Sequence, residues 1–353
     1  MRALVLVAVA ACAAAPPAAD WQWQLPDGFP VPRVPADNPM TAGKVELGRH
    51  LFFDTRLSGT GTQSCASCHD PARAFSDGQT VPLGATGERG IHNAMSLVNV
   101  AYNSSSTWAH DVRRLEDQAR LPMFGTAPVE MAVVETDALA RLAAEPVYSE
   151  LFAQAFPDEA APLTLENITR ALASFERTII SGDSPFDRLV AGDETALDAS
   201  ARRGLALFES ERLGCAQCHG GFNLASAYDH VAMPAGGQIQ LFNTGLYNVD
   251  GNGAYPAGDR GLIEVTGEPG DMGRFRAPTL RNIALTAPYF HDGSAPTLDS
   301  VIDHYVRGGV ASPLKSPLVA GVSLAVDERA DLLAFFAALT DDTLATRFVN
   351  PWQ

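Results

Sequence analysis

Residues 61–70 read GTQSCASCHD, and residues 213–221 read LGCAQCHGG. Each stretch sets two cysteines three positions apart with a histidine directly after: Cys65, Cys68 and His69, then Cys215, Cys218 and His219. The chain has 5 cysteines, and the fifth, Cys12, falls in the N-terminal leader. C-x-x-C-H is the attachment pattern of c-type haem. Two sulfurs reach the two vinyl groups on one porphyrin edge, and the next residue presents its imidazole to the iron. The repeat implies two covalently bound haem c groups with His69 and His219 as proximal ligands. Other uses of paired cysteines explain less. A Cys₄ zinc site leaves the repeated histidine without a role. A thioredoxin-like dithiol needs a βαβ setting that neither motif has. Disulfides suit exported proteins, but so short a loop is a poor staple.

Length and composition bound the rest. A chain of 353 residues suggests two domains or one large one. Its 46% hydrophobic and 19% charged residues suit a folded protein with a sizeable core and exclude a disordered one. A net charge of −16 argues against a nucleic-acid surface, which needs clustered Lys and Arg. It permits a basic partner, although acidity commonly serves only solubility. The opening MRALVLVAVAACAAAPPAADW has one Arg, a short apolar run and then small residues. This pattern predicts an export signal over 1–19, with the mature chain beginning near Asp20. Val9-Ala10-Ala11-Cys12 also resembles a lipoprotein signal with Cys12 lipidated; the plainer reading is a cleaved leader with an incidental cysteine. No later stretch is apolar for long enough to span a membrane. Export to the periplasm fits covalent haem, which is attached outside the cytoplasm.

Helix signals dominate the pattern. KVELGRHLFF (44–53) has near-helical apolar spacing. TLENITRALASFERTII (164–180) places Leu165, Ile168, Leu172, Phe175 and Ile179 on one face. ARRGLALFESERLG (201–214) leads into the second motif, and ERADLLAFFAALT (328–340) makes a last helix. TLDSVIDHYVRGG (297–309) predicts a helix capped by Thr297 and stopped at Gly308-Gly309. Long Gly/Pro-rich loops lie between, above all 220–278. The fold class expected is mainly α: two tandem cytochrome c-like domains, 20–190 and 191–353, joined near 182–198, each with one haem facing the other across the interface.

With both motifs placed, KVELGRHLFFDTRLSGTGTQSCASCHDPARAFSDG (44–78) and RFRAPTLRNIALTAPYFHDGSAPTLDSVIDHYVRGG (274–309) resemble the bacterial di-haem cytochrome c peroxidase and MauG superfamily. WQLPDGFPVPRVPADNPMTAGKVELG (23–48) and TGEPGDMGRFRAPTLRN (266–282) look closest to its MbnH-like branch. The resemblance implies roles residue by residue. In ordinary peroxidases a histidine after the first motif plugs the sixth position of that haem. Here the loop reads VPLGATGERGIHN (81–93), Ala85 stands where the plug is expected, and His92 is out of register. The first haem should be open, unless His92 or His110 ligates it in some state. Gln118 and Glu130 match the superfamily's distal pair, with Glu130 the proton shuttle for peroxide cleavage; two residues are inserted between them. A surface carboxylate is the plain alternative, although Pro128-Val129 and Met131-Ala132 suggest shielding. Trp108 matches a tryptophan between the haems that relays electrons, or is simply core; Ala109-His110 follow it where the family has Asp-Gly.

The second haem's sixth ligand falls on Tyr305, which MauG-type enzymes use where peroxidases use methionine. Tyr305 shares a helix face with Leu298, Val301 and Ile302, as a core tyrosine also would. Met272 and His304 are its rivals. A phenolate stabilises oxidised iron, the reverse of methionine. Asn93, Thr286 and Pro288 match an interhaem Ca²⁺ site, through the Asn93 side-chain oxygen and two backbone carbonyls. The resemblance thus implies a periplasmic enzyme that uses hydrogen peroxide to form a high-valent di-haem state. That state oxidises a partner protein at a tryptophan, the partner being a small copper-binding protein in the MbnH-like case. Two alternatives stay open: a cytochrome c peroxidase fed by a small electron-donor protein, and a non-catalytic di-haem electron-transfer cytochrome.

Overall fold

The computed structural model describes residues 21–234 and 239–352. The leader and Cys12 lie outside the described residues. Helices carry the fold: α1 (Ala42–Phe53), α2 (Glu135–Ala143), α3 (Pro146–Ala155), α4 (Leu165–Glu176), α5 (Ala199–Glu209), α6 (Leu298–Arg307) and α7 (Val326–Ala337). Among the described residues the sheet content is one antiparallel pair, β1 (Leu241–Phe242) with β2 (Phe275–Arg276), in register Leu241↔Arg276. No described helix is long and apolar enough to cross a membrane.

Local chemistry starts and stops the helices. Thr41 and Thr164 accept hydrogen bonds from the backbone N–H of Lys44 and Asn167 at the heads of α1 and α4. Asp198 does the same for Ala201 at the head of α5. On α6, Thr297 and Ser300 form a reciprocal capping box, and Gly308 at φ 76° ends the helix, as the sequence predicts.

Two helix crossings organise the molecule, and they match. At Gly48 of α1, a Cβ would lie 2.0 Å from the Ala171 carbonyl oxygen and 2.8 Å from Cβ of Phe175 on α4. At Gly204 of α5, a Cβ would lie 2.0 Å from the Asp331 carbonyl oxygen and 2.8 Å from Cβ of Phe335 on α7. Each half therefore packs the helix before its C-x-x-C-H motif backbone-to-backbone on a later helix. Only glycine allows that approach. Around the first crossing lies a core of Leu47, Leu51, Phe52, Leu172 and Phe175, which α3 extends with Leu151 and Phe152. The second is smaller: Phe208, Ile302, Leu332, Phe335 and Leu339.

The described residues of 220–278 are mostly loop, as expected, with β1, β2 and short helices at Ile263–Thr266 and Pro269–Asp271. The junction holds a short helix, Pro185–Val190, tied to the second half by a buried Asp187–Arg281 pair at 2.7 Å. The described chain ends cross between halves. Leu344 and Phe348 pack on the first core, Phe348 standing 5.3 Å from Phe75. Phe29 packs 5.2 Å from Phe222, with the Arg281 guanidinium over its ring. We propose the division near 190/191 from the two cores, with the C-terminal tail crossing it.

Gly48→Ala and Gly204→Ala should each cost about 1–3 kcal/mol through overpacking. Gly270→Ala, where an added Cβ meets nothing within 4 Å, should be near neutral. Thermal unfolding of the three variants checks the crossings.

Candidate di-haem site

Two cavities carry the two motifs. Cys65, Cys68 and His69 line the smaller, and Cys215, Cys218 and His219 the larger. The four cysteines form no disulfide. Because the pairs line different cavities, they do not form one Cys₄ zinc site. Burial pushes the thiols up, to about 12 at Cys68 and about 11 at Cys215 and Cys218, so they stand as neutral thiols.

Both histidines are set in the same way. His69 Nδ1 lies 3.0 Å from the Phe75 carbonyl oxygen, and His219 Nδ1 lies 3.0 Å from that of Pro278. A carbonyl can only accept, so Nδ1 carries the proton in each ring and Nε2 keeps a bare lone pair. Burial lowers both pKa values, that of His219 to about 4. Neutral imidazole with its second nitrogen pinned is the form that ligates a metal.

The larger cavity also fits an anionic macrocycle. Arg276 is buried there without a carboxylate partner. It donates from Nε to the Thr107 carbonyl at 3.2 Å and from Nη2 to Met95 Sδ at 2.9 Å. Burial lowers its pKa to about 10. A buried cation without an anion is costly, and a propionate would answer it. Asn103, whose Oδ1 is buried and unpartnered, lines the same cavity. The donor sets of both cavities thus fit haem c.

Around the smaller cavity the structure gathers Gln118 and Glu130 with the first motif. The 81–93 loop is clamped beside them. Ala85 N–H donates to the Glu130 carbonyl at 2.6 Å, and Gln63 Nε2 to the Leu83 carbonyl at 2.9 Å. Neither His92 nor His110 lines this cavity. His92 instead bonds Asp259 at 2.9 Å. The shielding expected for Glu130 needs correction. Its neighbours Met131 and Val133 are buried, but Glu130 itself is exposed where it lines the cavity. The surrounding protein still raises its carboxyl above the usual 4.5, with His92 partly offsetting this.

Tyr305 lines the larger cavity together with Leu298, Val301 and Ile302, the face read from sequence. Its rivals are occupied elsewhere. His304 Nε2 lies 3.0 Å from the Thr244 carbonyl oxygen, and Met272 packs on a small cluster of Ala109, Tyr255 and Phe275. Trp108 packs on that cluster too, lines the larger cavity, and donates from Nε1 to the Asn93 carbonyl at 2.9 Å. Asn93, Thr286 and Pro288 all line the larger cavity. The Asn93 amide nitrogen donates to the Gln79 carbonyl at 2.8 Å, which leaves its oxygen free to accept.

Sequence reasoning missed several residues that only folding assembles. Segment 93–96 lines the larger cavity, while Ser96 Oγ donates to the Ala74 carbonyl, one residue before the Phe75 carbonyl that takes His69. Asp259 joins His92 and His291, and Asp292 accepts from Tyr247. Glu176 lines the smaller cavity, buried, with Oε2 unpartnered. No motif marks these positions, because their partners are far away in sequence.

A family model described as di-haem cytochrome c peroxidase matches residues 42–195, and a RoxA-like, cytochrome c-like model matches 274–309. Methylamine utilization protein MauG of Methylorubrum extorquens is 35% identical, over 92% of this chain and 85% of its own. Cytochrome-c peroxidase IdrP1 of Pseudomonas sp. strain SCT is 38% identical, over 88% of this chain and 84% of its own. The crystal structure of a MauG-like protein associated with microbial copper homeostasis superposes with a TM-score of 0.92 at 44% identity, covering 94% of this chain and all of that one. Fold and similarity define an oxidoreductase of the peroxidase class, whose family implies haem c cofactors. The chain belongs to the di-haem cytochrome c peroxidase and MauG superfamily.

Burial raises the Glu176 carboxyl from 4.5 to about 8. A pKa raised in the folded state means stability that is full below about 4.5 and lost as pH climbs through about 8. Glu176→Gln mimics the neutral acid. It should therefore raise the melting temperature relative to the parent at alkaline pH, with little difference at acid pH.

Proposed function

We propose that this chain is an exported, periplasmic enzyme with two covalent haem c groups. It uses hydrogen peroxide to oxidise a side chain of a partner protein, a tryptophan in the MauG- and MbnH-like manner. The observation that carries this reading is the lining of the larger cavity: Tyr305 shares it with His219, while Met272 and His304 do not. The similarity to MauG and to the MauG-like copper-homeostasis protein supports it. When bound, the haems supply the redox chemistry, reducing peroxide and storing its oxidising equivalents.

The chain's own residues divide the remaining work. His69 and His219 would each hold one of the two irons, and Tyr305 would serve as a further protein ligand of the second. Among the described residues no histidine besides His69 lines the smaller cavity, which supports access of peroxide there without prior reduction. Glu130 takes a proton from the inner peroxide oxygen and delivers one to the outer, and Gln118 orients the molecule by hydrogen bonding. Trp108 stands as the relay, and Asn93, Thr286 and Pro288 hold Ca²⁺ beside it. The acidic surface suits a partner with a basic docking face, such as a small copper-binding protein.

A second reading is a peroxidase that reduces hydrogen peroxide to water with electrons from a small donor protein. The relatives named cytochrome-c peroxidase favour it. One titration separates the two. Hydrogen peroxide is added to the all-ferric protein without reductant, and the visible and near-infrared spectrum is recorded. A prompt change in both haems supports partner oxidation; a response only after one haem is reduced supports the peroxidase.

Tyr305→Phe should alter the ferric spectrum of one haem and abolish the long-lived product of that titration. Glu130→Gln should slow its formation by about 10²–10⁴-fold while leaving the ferric spectra intact. Because Glu130 acts as a carboxylate and its pKa is raised, the wild-type rate should fall on acidification before pH reaches 4.5. Stopped-flow rates across pH, compared with Glu130→Gln, check the assignment.

A further inference from the structure

We propose that Tyr247 is the residue through which oxidising equivalents leave the di-haem centre, with Asp292 accepting its proton. The inference rests on the function proposed above and names the exit that function requires.

A phenol that loses an electron becomes strongly acidic, so a tyrosine relay needs a base at its hydroxyl. Among the described residues two tyrosines donate to a carboxylate: Tyr148 to Asp54 and Tyr247 to Asp292, both at 2.5 Å. The others with hydrogen-bonded hydroxyls meet neutral oxygens: Tyr102 that of Pro30, Tyr255 that of Asn243, Tyr289 that of Ile283. Tyr148 is 1% exposed within the first core, so no partner reaches it. Tyr247 is partly exposed.

Position favours Tyr247 as well. It packs on the same small cluster as Trp108. Ring to ring, Trp108 is 6.5 Å from His291, His291 is 6.3 Å from Tyr255, and Tyr255 is 5.5 Å from Tyr247. Tyr255 is buried with only an amide oxygen at its hydroxyl and no base, so it is not itself oxidised and the electron tunnels past its ring from Tyr247. Asp292 is held ready: Oδ1 accepts from Ser294 N–H at 3.0 Å, and Oδ2 takes the phenol.

The step balances. Tyr247 gives one electron toward Trp108 and the oxidised haem pair; its O–H bond breaks as an O–H bond forms on Asp292. An electron from the partner's indole side chain then restores the phenoxyl, and Asp292 returns the proton. Hydrogen peroxide is the oxidant. It takes two electrons and two protons to give two waters; two passes through Tyr247 draw the two electrons from the partner's indole, which sheds two protons to solvent as it is oxidised and so balances those taken up by peroxide.

The plain alternative is a hydrogen bond that merely ties two loops, and holoenzyme spectroscopy separates them. Protein carrying ring-deuterated tyrosine is mixed with peroxide, freeze-quenched without partner, and examined by electron paramagnetic resonance. The wild type should give a deuterium-sensitive tyrosyl signal. Tyr247→Phe should lose it, and the peroxide-induced visible change should persist several-fold longer, with haem content and melting temperature preserved. Asp292→Asn keeps an acceptor but removes the base, and should lower the radical yield in the same way. An unaltered tyrosyl signal and decay in Tyr247→Phe would overturn the proposal while leaving the parent function standing. A wild-type protein whose spectrum ignores peroxide would sink the parent function, and this inference with it.

Discussion

Two close helix crossings, at Gly48 and Gly204, hold the rest of the structure in place. Each lets a helix backbone touch a carbonyl of its partner, so the helix before each C-x-x-C-H motif has one depth and one angle. A side chain at either glycine would push the helices apart. The second core is small, and much of its half is loop. Its helices bury little apolar surface between them, and the haem c that the family implies would add to that core, so stability and cofactor binding would be coupled there.

Backbone carbonyls finish what the crossings begin. The motifs fix which histidines stand at the cavities, but Phe75 and Pro278 fix how they stand. Each carbonyl holds a proton on Nδ1 and leaves Nε2 bare. The Phe75 carbonyl sits one residue from the carbonyl that Ser96 grips, and Ser96 lines the other cavity. The two sites are thus linked by a few residues of chain and by Trp108 on the Asn93 carbonyl.

Charge burial marks where chemistry is expected. Arg276 and Glu176 lie buried without an opposite charge in hydrogen-bonding contact, and each lines one of the two cavities. By contrast the buried pairs Glu116–Arg177 and Asp187–Arg281 are matched and lie in the framework. The unmatched charge of Arg276 calls for a ligand that compensates it, whereas burial keeps Glu176 a neutral acid near neutral pH. The His92–Asp259–His291 group joins loops of both halves and keeps His92 away from the smaller cavity.

The sequence by itself marked the two C-x-x-C-H motifs that line the cavities, because the motif is local and read over five residues. It also marked α1, α4, α5, α6 and α7, whose apolar periods are local too, as is the Thr297 cap of α6. The inward face of α6 was legible for the same reason, and with it the place of Tyr305. Resemblance, not periodicity, pointed to Gln118 and Glu130. Only the tertiary structure decided the rest. It placed Glu130 exposed at its cavity rather than shielded, since exposure depends on what packs from elsewhere. It turned His92 onto Asp259, 167 positions away, and His304 onto the Thr244 carbonyl. It brought Tyr247, Asp292 and Trp108 around one aromatic cluster. Those contacts join loops with no periodicity, and their energy exists only once both halves are folded, so no local pattern could announce them.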